Sequence, residues 1–322
     1  MSMNLLDAMR YLAALEQHRH FGRAALACHI TQPALSNALR ALESELGTSI
    51  VRRGRQYEGL TPEGERVLAS ARRMLHEQEL LRQDLASSAG QPQGVLTLGA
   101  VPTAVPVAAQ FAVWLRRNHP GLRVVLRGLS SPAIEAGLEN LAVDLALGYT
   151  GRPDAQARSL QIRPQYEEHY FAVRREPPAD EPVPAPAAGL SLGAPLRWAD
   201  LAHQPLLLLT PEMHNRSIID AAFESAAVAP PAAIETDSVL ALITAVQTGP
   251  FSAVLPGALL RTLAPQAPVT VHPLVEPELR TPIGFMSLGS SRPSRALEAA
   301  QALAASVEWL AHLKTQTGAW PA

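Results

Sequence analysis

The stretch HITQPALSNALRALESELG, residues 29 to 47, constrains this chain more than any other segment. Leu35, Leu39, Leu42 and Leu46 fall on one narrow side of a helical wheel, so that side is expected to be buried. Pro33, Ser36, Asn37, Arg40 and Ser44 spread over the opposite arc. Thr31 can cap the N-terminus, and Pro33 sits in the first turn, where a missing N–H costs little. Small side chains let a helix enter a groove closely. Gln32, Ser36 and Asn37 offer donors and acceptors to base edges, and Arg40 offers a cation to phosphate. That is the chemistry of a recognition helix, although a polar face is also what any solvated helix presents, and spacing alone leaves both readings open.

The flanks add to it. Leu5, Leu6, Met9, Leu12, Ala13 and Leu15 recur at helical spacing, and GRAALACH reads as a second short helix; the tight bend at His29–Ile30 then completes a helix-turn-helix. Ile50–Val51 and Tyr57 to Leu60 bracket a basic turn, predicting a hairpin whose tip carries Arg52, Arg53 and Arg55 as a backbone-gripping wing. Thr61–Pro62 opens a long helix running to about Ser87. Within it Val67, Ala71, Met74, Gln78, Leu81 and Leu85 step by four and three, an a/d seam that predicts dimerisation. Packing on its own domain is the competing reading, with a wider apolar stripe as its signature. SSAGQPQG, residues 87–94, reads as a linker.

Beyond it the period changes. GVLTLGA, a helix over 105–118, LRVVLRG, a helix from Pro132 to Leu141 and VDLALGY give βαβαβ, the pattern of a parallel sheet. PLLLLT, a helix over 215–227, a strand near Ile234, a helix over 238–248 and FSAVLP repeat it, so two similar α/β lobes are expected. Between them EPPADEPVPAPAAGLSLGAP, within 176–195, reads as surface loop. One helix from about Ser294 to Leu313 is expected to return to the first lobe.

The run FGRAALACHITQPALSNALRALESELGTSIVRRGRQYEGLTPEGERVL closely resembles the DNA-binding domain of LysR-type transcriptional regulators. Phe21, Ala24–Ala25, Thr31 to Ser36, Leu42–Glu43, Leu46–Gly47 and Leu60 to Gly64 stand at the family's positions. Val51 stands where the family usually has Phe, and Asn37 where Arg or another polar residue is common, which leaves the base read there open. The resemblance covers the whole chain. It implies an α and α/β architecture: a winged helix-turn-helix (1–60), a dimerising linker helix (61–88) and a two-lobed, periplasmic-binding-protein-like, Rossmann-like effector domain (92–322). Lobe I would take about 92–165 and 274–322, lobe II about 166–273. It further implies promoter DNA against Gln32, Pro33, Ser36 and Asn37, a small-molecule effector, self-association to a homodimer and on to a homotetramer, and RNA polymerase as a further candidate partner. The segment HRHFGRAA also resembles regulators of formate dehydrogenase operons.

The effector site has its own physical basis. Thr103 stands between the first strand and a helix, and Ser130–Ser131–Pro132 is a serine cap followed by proline. Hydroxyls and free N–H groups there converge at strand C-terminal ends, where α/β sheets bind ligands and helix N-termini favour anions. His214, Asn215 and Arg216 open a helix of the second lobe, and Phe251 follows the TGP loop, which departs from the family's Gly-x-Gly. A small polar carboxylate or other anion is the expected effector, aromatic residues being only 5% of the chain.

Net charge of −2 points to no partner, and 322 residues suffice for several folding units. One cysteine, Cys28, excludes an internal disulfide and a two-cysteine redox couple and suits a reducing, cytoplasmic setting. His18, His20, Cys28 and His29 invite a metal reading, but packing and solvent exposure account for them better. No signal-type leader, membrane-length apolar run, nucleophile elbow, P-loop or metal-ligand spacing is present, so neither enzyme activity nor a cofactor is expected. A solute-binding protein or an enzyme of the same two-lobed fold is the alternative. The first would leave the N-terminal ninety residues idle; the second would need convergent titratable groups in the cleft.

Overall fold

A computed structural model describes residues 4–54, 57–87, 91–152, 160–175, 190–263, 269–289 and 293–316. It separates into two compact units, Met1–Gly90 and Gln91–Ala322.

In the first unit α1 (Leu5–His18), α2 (Phe21–Ala27) and α3 (Gln32–Leu46) are followed by β1 (Val51–Arg53), β2 (Tyr57–Leu60) and α4 (Pro62–Ala86). Leu12 and Leu15 of α1, Ala24 and Ala25 of α2, Leu35, Leu39 and Leu42 of α3 and Leu68 of α4 form one buried core. Fully burying a leucine contributes about 1.5–3 kcal/mol, so this stripe holds the three helices together. Leu46 corrects the sequence expectation: it is 44% exposed, because Ile50, Val51 and Leu60 from the hairpin close that end of the core instead. The α2–α3 bend is a Schellman turn. Ile30 N donates to Ala25 O and His29 N to Leu26 O, with His29 at φ +56° where glycine is the usual occupant.

Two family positions find their reasons here. The Glu43 carboxylate accepts from the amides of Ile50 (2.9 Å) and Val51 (3.1 Å), tying the end of α3 to the wing. Thr61 Oγ1 accepts from Gly64 N and donates to Ser49 O, while a Cβ at residue 64 would lie 2.1 Å from Ile50 O, so the helix can pass the wing only with glycine there.

The second unit is built on one sheet, ordered β10-β9-β11-β6-β13-β5-β3-β4. Its lobe I strands β3 (Gly94–Ala100), β4 (Leu122–Gly128) and β5 (Leu145–Tyr149) are parallel and alternate with α5 (Val105–Asn118) and α6 (Ser131–Glu139). β6 (Leu160–Arg175) follows. Lobe II repeats the plan with β9 (Leu206–Leu209), α7 (His214–Ser225), β10 (Ala232–Thr236), α8 (Val239–Thr248) and β11 (Ser252–Pro256), also parallel. After the short α9 (Gly257–Leu260) come β12 (Val269–Val275) and β13 (Arg280–Leu288). Leu160–His169 of β6 pairs with β13 in antiparallel register and Tyr170–Arg175 with β11 and β12, so β6 passes from one lobe into the other. The first half of β6, LQIRPQYEEH, alternates Leu160, Ile162, Pro164 and Tyr166 with polar residues, and these pairings hold it in the sheet with a proline in mid-strand.

Two further expectations change. Of the proline-rich stretch read as loop, 176–189 lie outside the described residues, but Leu190–Leu192 form β7, parallel to β12, and Leu196–Arg197 form β8 beside it. The single C-terminal helix is two, α10 (Arg295–Ala304) and α11 (Val307–Gln316): Ser306 Oγ accepts from Trp309 N at 3.2 Å and starts a new helix. Both return to lobe I, where Trp309 packs edge-on against Phe111 within the core that also holds Leu96, Phe285 and Leu313.

Candidate functional site

Two sites are built by these units. In the first, α3 turns Leu35, Leu39 and Leu42 inward and leaves Gln32, Pro33, Asn37 and Arg40 exposed and Ser36 half-buried. Thr31 caps the helix, its Oγ1 accepting from Ala34 N at 3.4 Å. Arg40 Nη1 donates to Asn37 Oδ1 at 3.1 Å, so a donor amide and a guanidinium are held side by side on the open face. Arg52 is exposed on β1; the Arg53 backbone pairs with Tyr57, while the Arg53 side chain and the whole of Arg55 lie outside the described residues. Tyr57, next to the turn of the wing, donates to Glu16 of α1 and meets Phe21 edge-on, while Glu43 holds the Ile50–Val51 end, so the hairpin is fastened to the helices at both ends. Burial and the Glu16 carboxylate together push the Tyr57 phenol far above its ordinary range, keeping it a donor. His20 is the cap of α2, its Nδ1 accepting from Arg23 N at 3.2 Å.

The second site lies between the lobes and is centred on a residue that sequence reasoning missed. Tyr149 ends β5 and is 3% exposed. Its hydroxyl is 2.9 Å from Thr103 Oγ1 of lobe I, accepts from Asn215 Nδ2 of lobe II at 3.3 Å, and lies 3.5 Å from Glu168 Oε2 of β6. The His214 ring stands edge-on to the Tyr149 ring, centroids 5.0 Å apart. Thr103, His214 and Asn215 are thus brought together, with Tyr149 as the common partner.

Ser131, the first residue of α6, is 5% exposed, and its Oγ has no hydrogen-bond partner. Ser130 before it has the extended backbone of a cap residue but makes no side-chain cap, so the first-turn amides of α6 are not closed off by it. The bond from Leu129 N to Ala100 O sets this helix start beside the end of β3, from which Thr103 follows. One turn along α6, the buried Glu135 pairs with Arg152 Nε at 2.8 Å.

Two predicted ligands are elsewhere. Arg216 Nη1 donates to Leu209 O at 2.9 Å and the guanidinium pairs with Asp220 and Glu235, which fixes it as a brace for β9 and β10. The Phe251 ring packs against the lobe II core of Leu207, Val246 and Leu255. Both readings rested on nearness in sequence to a helix start or loop, which does not set side-chain direction.

The electrostatics follow from burial. Glu168 is 0% exposed, and removal from water pushes its carboxyl up to about 8. Burial also drives Tyr149 well above its ordinary range, with Glu168 adding to it. Desolvation, then the Arg152 charge, hold His214 below its usual 6.5, so its imidazole is neutral at pH 7. Next to Tyr149 and His214 opens an apolar groove of about 450 Å³, walled by Ile218, Ala222, Pro277 and Leu279.

The sequence signal for Tyr149 was no more than an aromatic ending a buried strand, and that for Glu168 its place in the every-second-residue register of Leu160, Ile162, Pro164 and Tyr166. Partners 19 to 66 residues apart bring them into one site.

Comparison with known proteins agrees with this architecture. Residues 6–65 match the model of the bacterial regulatory helix-turn-helix protein, lysR family, and residues 89–308 that of the LysR substrate binding domain. The chain is 36% identical over 147 residues to a hydrogen peroxide-inducible genes activator of Pectobacterium carotovorum subsp. carotovorum, covering 45% of this chain and 48% of that protein. The chain spans about half the length of the curated relatives it matches. A full-length OxyR variant from Pseudomonas aeruginosa superposes with a TM-score of 0.66 at 25% identity, over 94% of this chain and 97% of that one. Full-length CbnR complexed with its target DNA shares the fold, with a TM-score of 0.61 at 18% identity over 92% and 99%. The likeness of HRHFGRAA to formate dehydrogenase regulators finds no support in these matches. No helix among the described residues is long and apolar enough to cross a membrane. With a family model matched over more than half its length, on a fold whose two units correspond to the two models, the chain belongs to the LysR family of bacterial regulatory helix-turn-helix proteins.

Proposed function

We propose that this chain is a transcriptional regulator that binds promoter DNA through α3 and its wing and responds to a small anion, a carboxylate being the best fit, held between the lobes of its second unit. The observation that carries the effector class is the buried, unpartnered Ser131 Oγ at an α6 start that lacks a side-chain cap. Amides and hydroxyl there offer donors only an acceptor-rich ligand can use. Thr103, Tyr149, Asn215 and a neutral His214 supply further hydrogen bonds from both lobes. The apolar groove beside them has room for a carbon skeleton. A ligand touching both lobes favours their closed arrangement by its differential affinity, and closure would reposition paired DNA-binding units.

Peroxide is named in the relatives' descriptions, yet the chain's one thiol, Cys28, lies in the DNA-binding unit and a two-cysteine response needs a second. A non-redox effector is favoured. Met74, Leu81 and Leu85 are exposed along α4, at a spacing of seven and four, which supports dimerisation through this helix.

An electrophoretic shift with the DNA upstream of the chain's own gene tests the first half: a salt-sensitive, sequence-preferring shift is expected, and its absence refutes the reading. A thermal-shift screen of small carboxylates tests the second. Thr103→Ala and Ser131→Ala should weaken the response and leave DNA affinity in place; unchanged responses in both refute the site.

A further inference from the structure

Resting on that anion reading, we propose that Glu168 is a specificity-determining residue: acting through Tyr149, its protonation state decides whether Thr103 presents a hydrogen-bond donor or an acceptor to the effector.

The argument is one of hydrogen-bond direction. A phenolic oxygen donates once and accepts twice. Asn215 Nδ2 donates to Tyr149 and takes one acceptor position permanently. The remaining acceptor position and the one proton are divided between Thr103 Oγ1, at 2.9 Å, and Glu168 Oε2, at 3.5 Å. When Glu168 is the neutral acid, it donates to the Tyr149 oxygen, the Tyr149 proton turns to Thr103 Oγ1, and the Thr103 proton is released toward the site. An anion is then welcomed by a donor. When Glu168 is the carboxylate, Tyr149 must donate to it, Thr103 must donate to Tyr149, and Thr103 keeps only lone pairs for the ligand. The anion then meets an acceptor, and a second negative charge no farther from Thr103 than those two bonds laid end to end. No atom moves far; three protons shift along the chain.

The surroundings favour the neutral acid. Glu168 is fully buried on the strand that passes between the lobes, and its Oε1 has no hydrogen-bond partner, a position in which a carboxylate is costly. The titratable groups facing it are Tyr149 of β5 and Tyr166 and Tyr170 of β6, each held neutral by burial, with Tyr170 bonded to Thr281 of β13. Desolvation holds His214, against the Tyr149 ring, below its usual 6.5, and the Arg152–Glu135 ion pair flanks it. A charge at this separation and an effective dielectric near 20 corresponds to roughly a 100-fold effect on anion affinity.

The test uses the full chain with sulfate and acetate as probes, titrated calorimetrically from pH 6.5 to 9.5. Wild-type affinity should fall as Glu168 ionises, by roughly 100-fold at the upper end. Glu168→Gln, which has no carboxyl proton to lose, should bind with a flat profile, and Tyr149→Phe, which cuts the relay but leaves the Glu168 charge in place, should keep only a weakened dependence. A 13C spectrum of labelled glutamate carboxyls should show one signal titrating near pH 8 in wild type and missing from Glu168→Gln. Binding with a flat wild-type profile, or with the same profile in Glu168→Gln, overturns the inference and leaves the anion site standing. A glutamate signal titrating only in the ordinary carboxylate range overturns it as well. Failure of both probes at every pH, in wild type and Glu168→Gln alike, overturns the anion reading and this inference with it.

Discussion

Replacing Glu168 by glutamine should stabilise the second unit, and increasingly so as pH rises. The carboxyl sits at about 8 in the folded chain and at 4.5 when solvated, so the folded state binds more protons than the unfolded state between those values. Where the folded state holds the extra proton, stability falls with rising pH. The penalty is absent below pH 4.5 and complete above pH 8. From 1.36 kcal/mol per pH unit, it grows by about 3.5 kcal/mol between pH 5 and pH 8. Glutamine has the shape of the neutral acid without the ionisation, so the stability difference between variant and wild type should widen by that amount, on the order of 3 kcal/mol. Urea unfolding followed by tryptophan fluorescence reads it cleanly, because Trp114, Trp198, Trp309 and Trp320 all lie after residue 90 and report the second unit alone. Parallel stability–pH profiles for the two proteins would refute the reasoning.

Gly64→Ala should shift the wing by forcing a Cβ onto Ile50 O, costing about 2–4 kcal/mol; hydrogen exchange over residues 49–68 should accelerate, and unchanged exchange would count against the close passage. His29→Gly should relieve the left-handed backbone at the α2–α3 bend by about 0.5–1 kcal/mol, seen as two- to fivefold slower exchange of α2 amides, and faster exchange would contradict it. Arg52→Ala should lower the slope of log affinity against log salt by about one without altering sequence preference, whereas Asn37→Ala should flatten the preference itself; the reverse assignment would show the face misread. Leu81→Glu with Leu85→Glu should dissociate the dimer in sedimentation equilibrium, and an unchanged mass would remove α4 from the interface.

Much of this molecule was determined locally and could be read from the chain. The leucine spacing of α3, the Thr–Pro opening of α4 and the strand–helix alternation of both lobes need only neighbours within a turn or two to fix their form, so periodicity and capping residues identify them. The sequence also placed Thr103, His214 and Asn215 at helix and strand ends, where a site could form. Tertiary structure decided the rest, because direction and burial depend on distant partners. It sent Arg216 to two carboxylates and Phe251 to a core. It uncovered Leu46 by closing the first core with the hairpin, and broke the last helix at Ser306. It paired LQIRPQYEEH with β13, which buried Glu168 behind Tyr149. A carboxyl's ionisation reflects the water it loses, and only the folded chain settles how much that is.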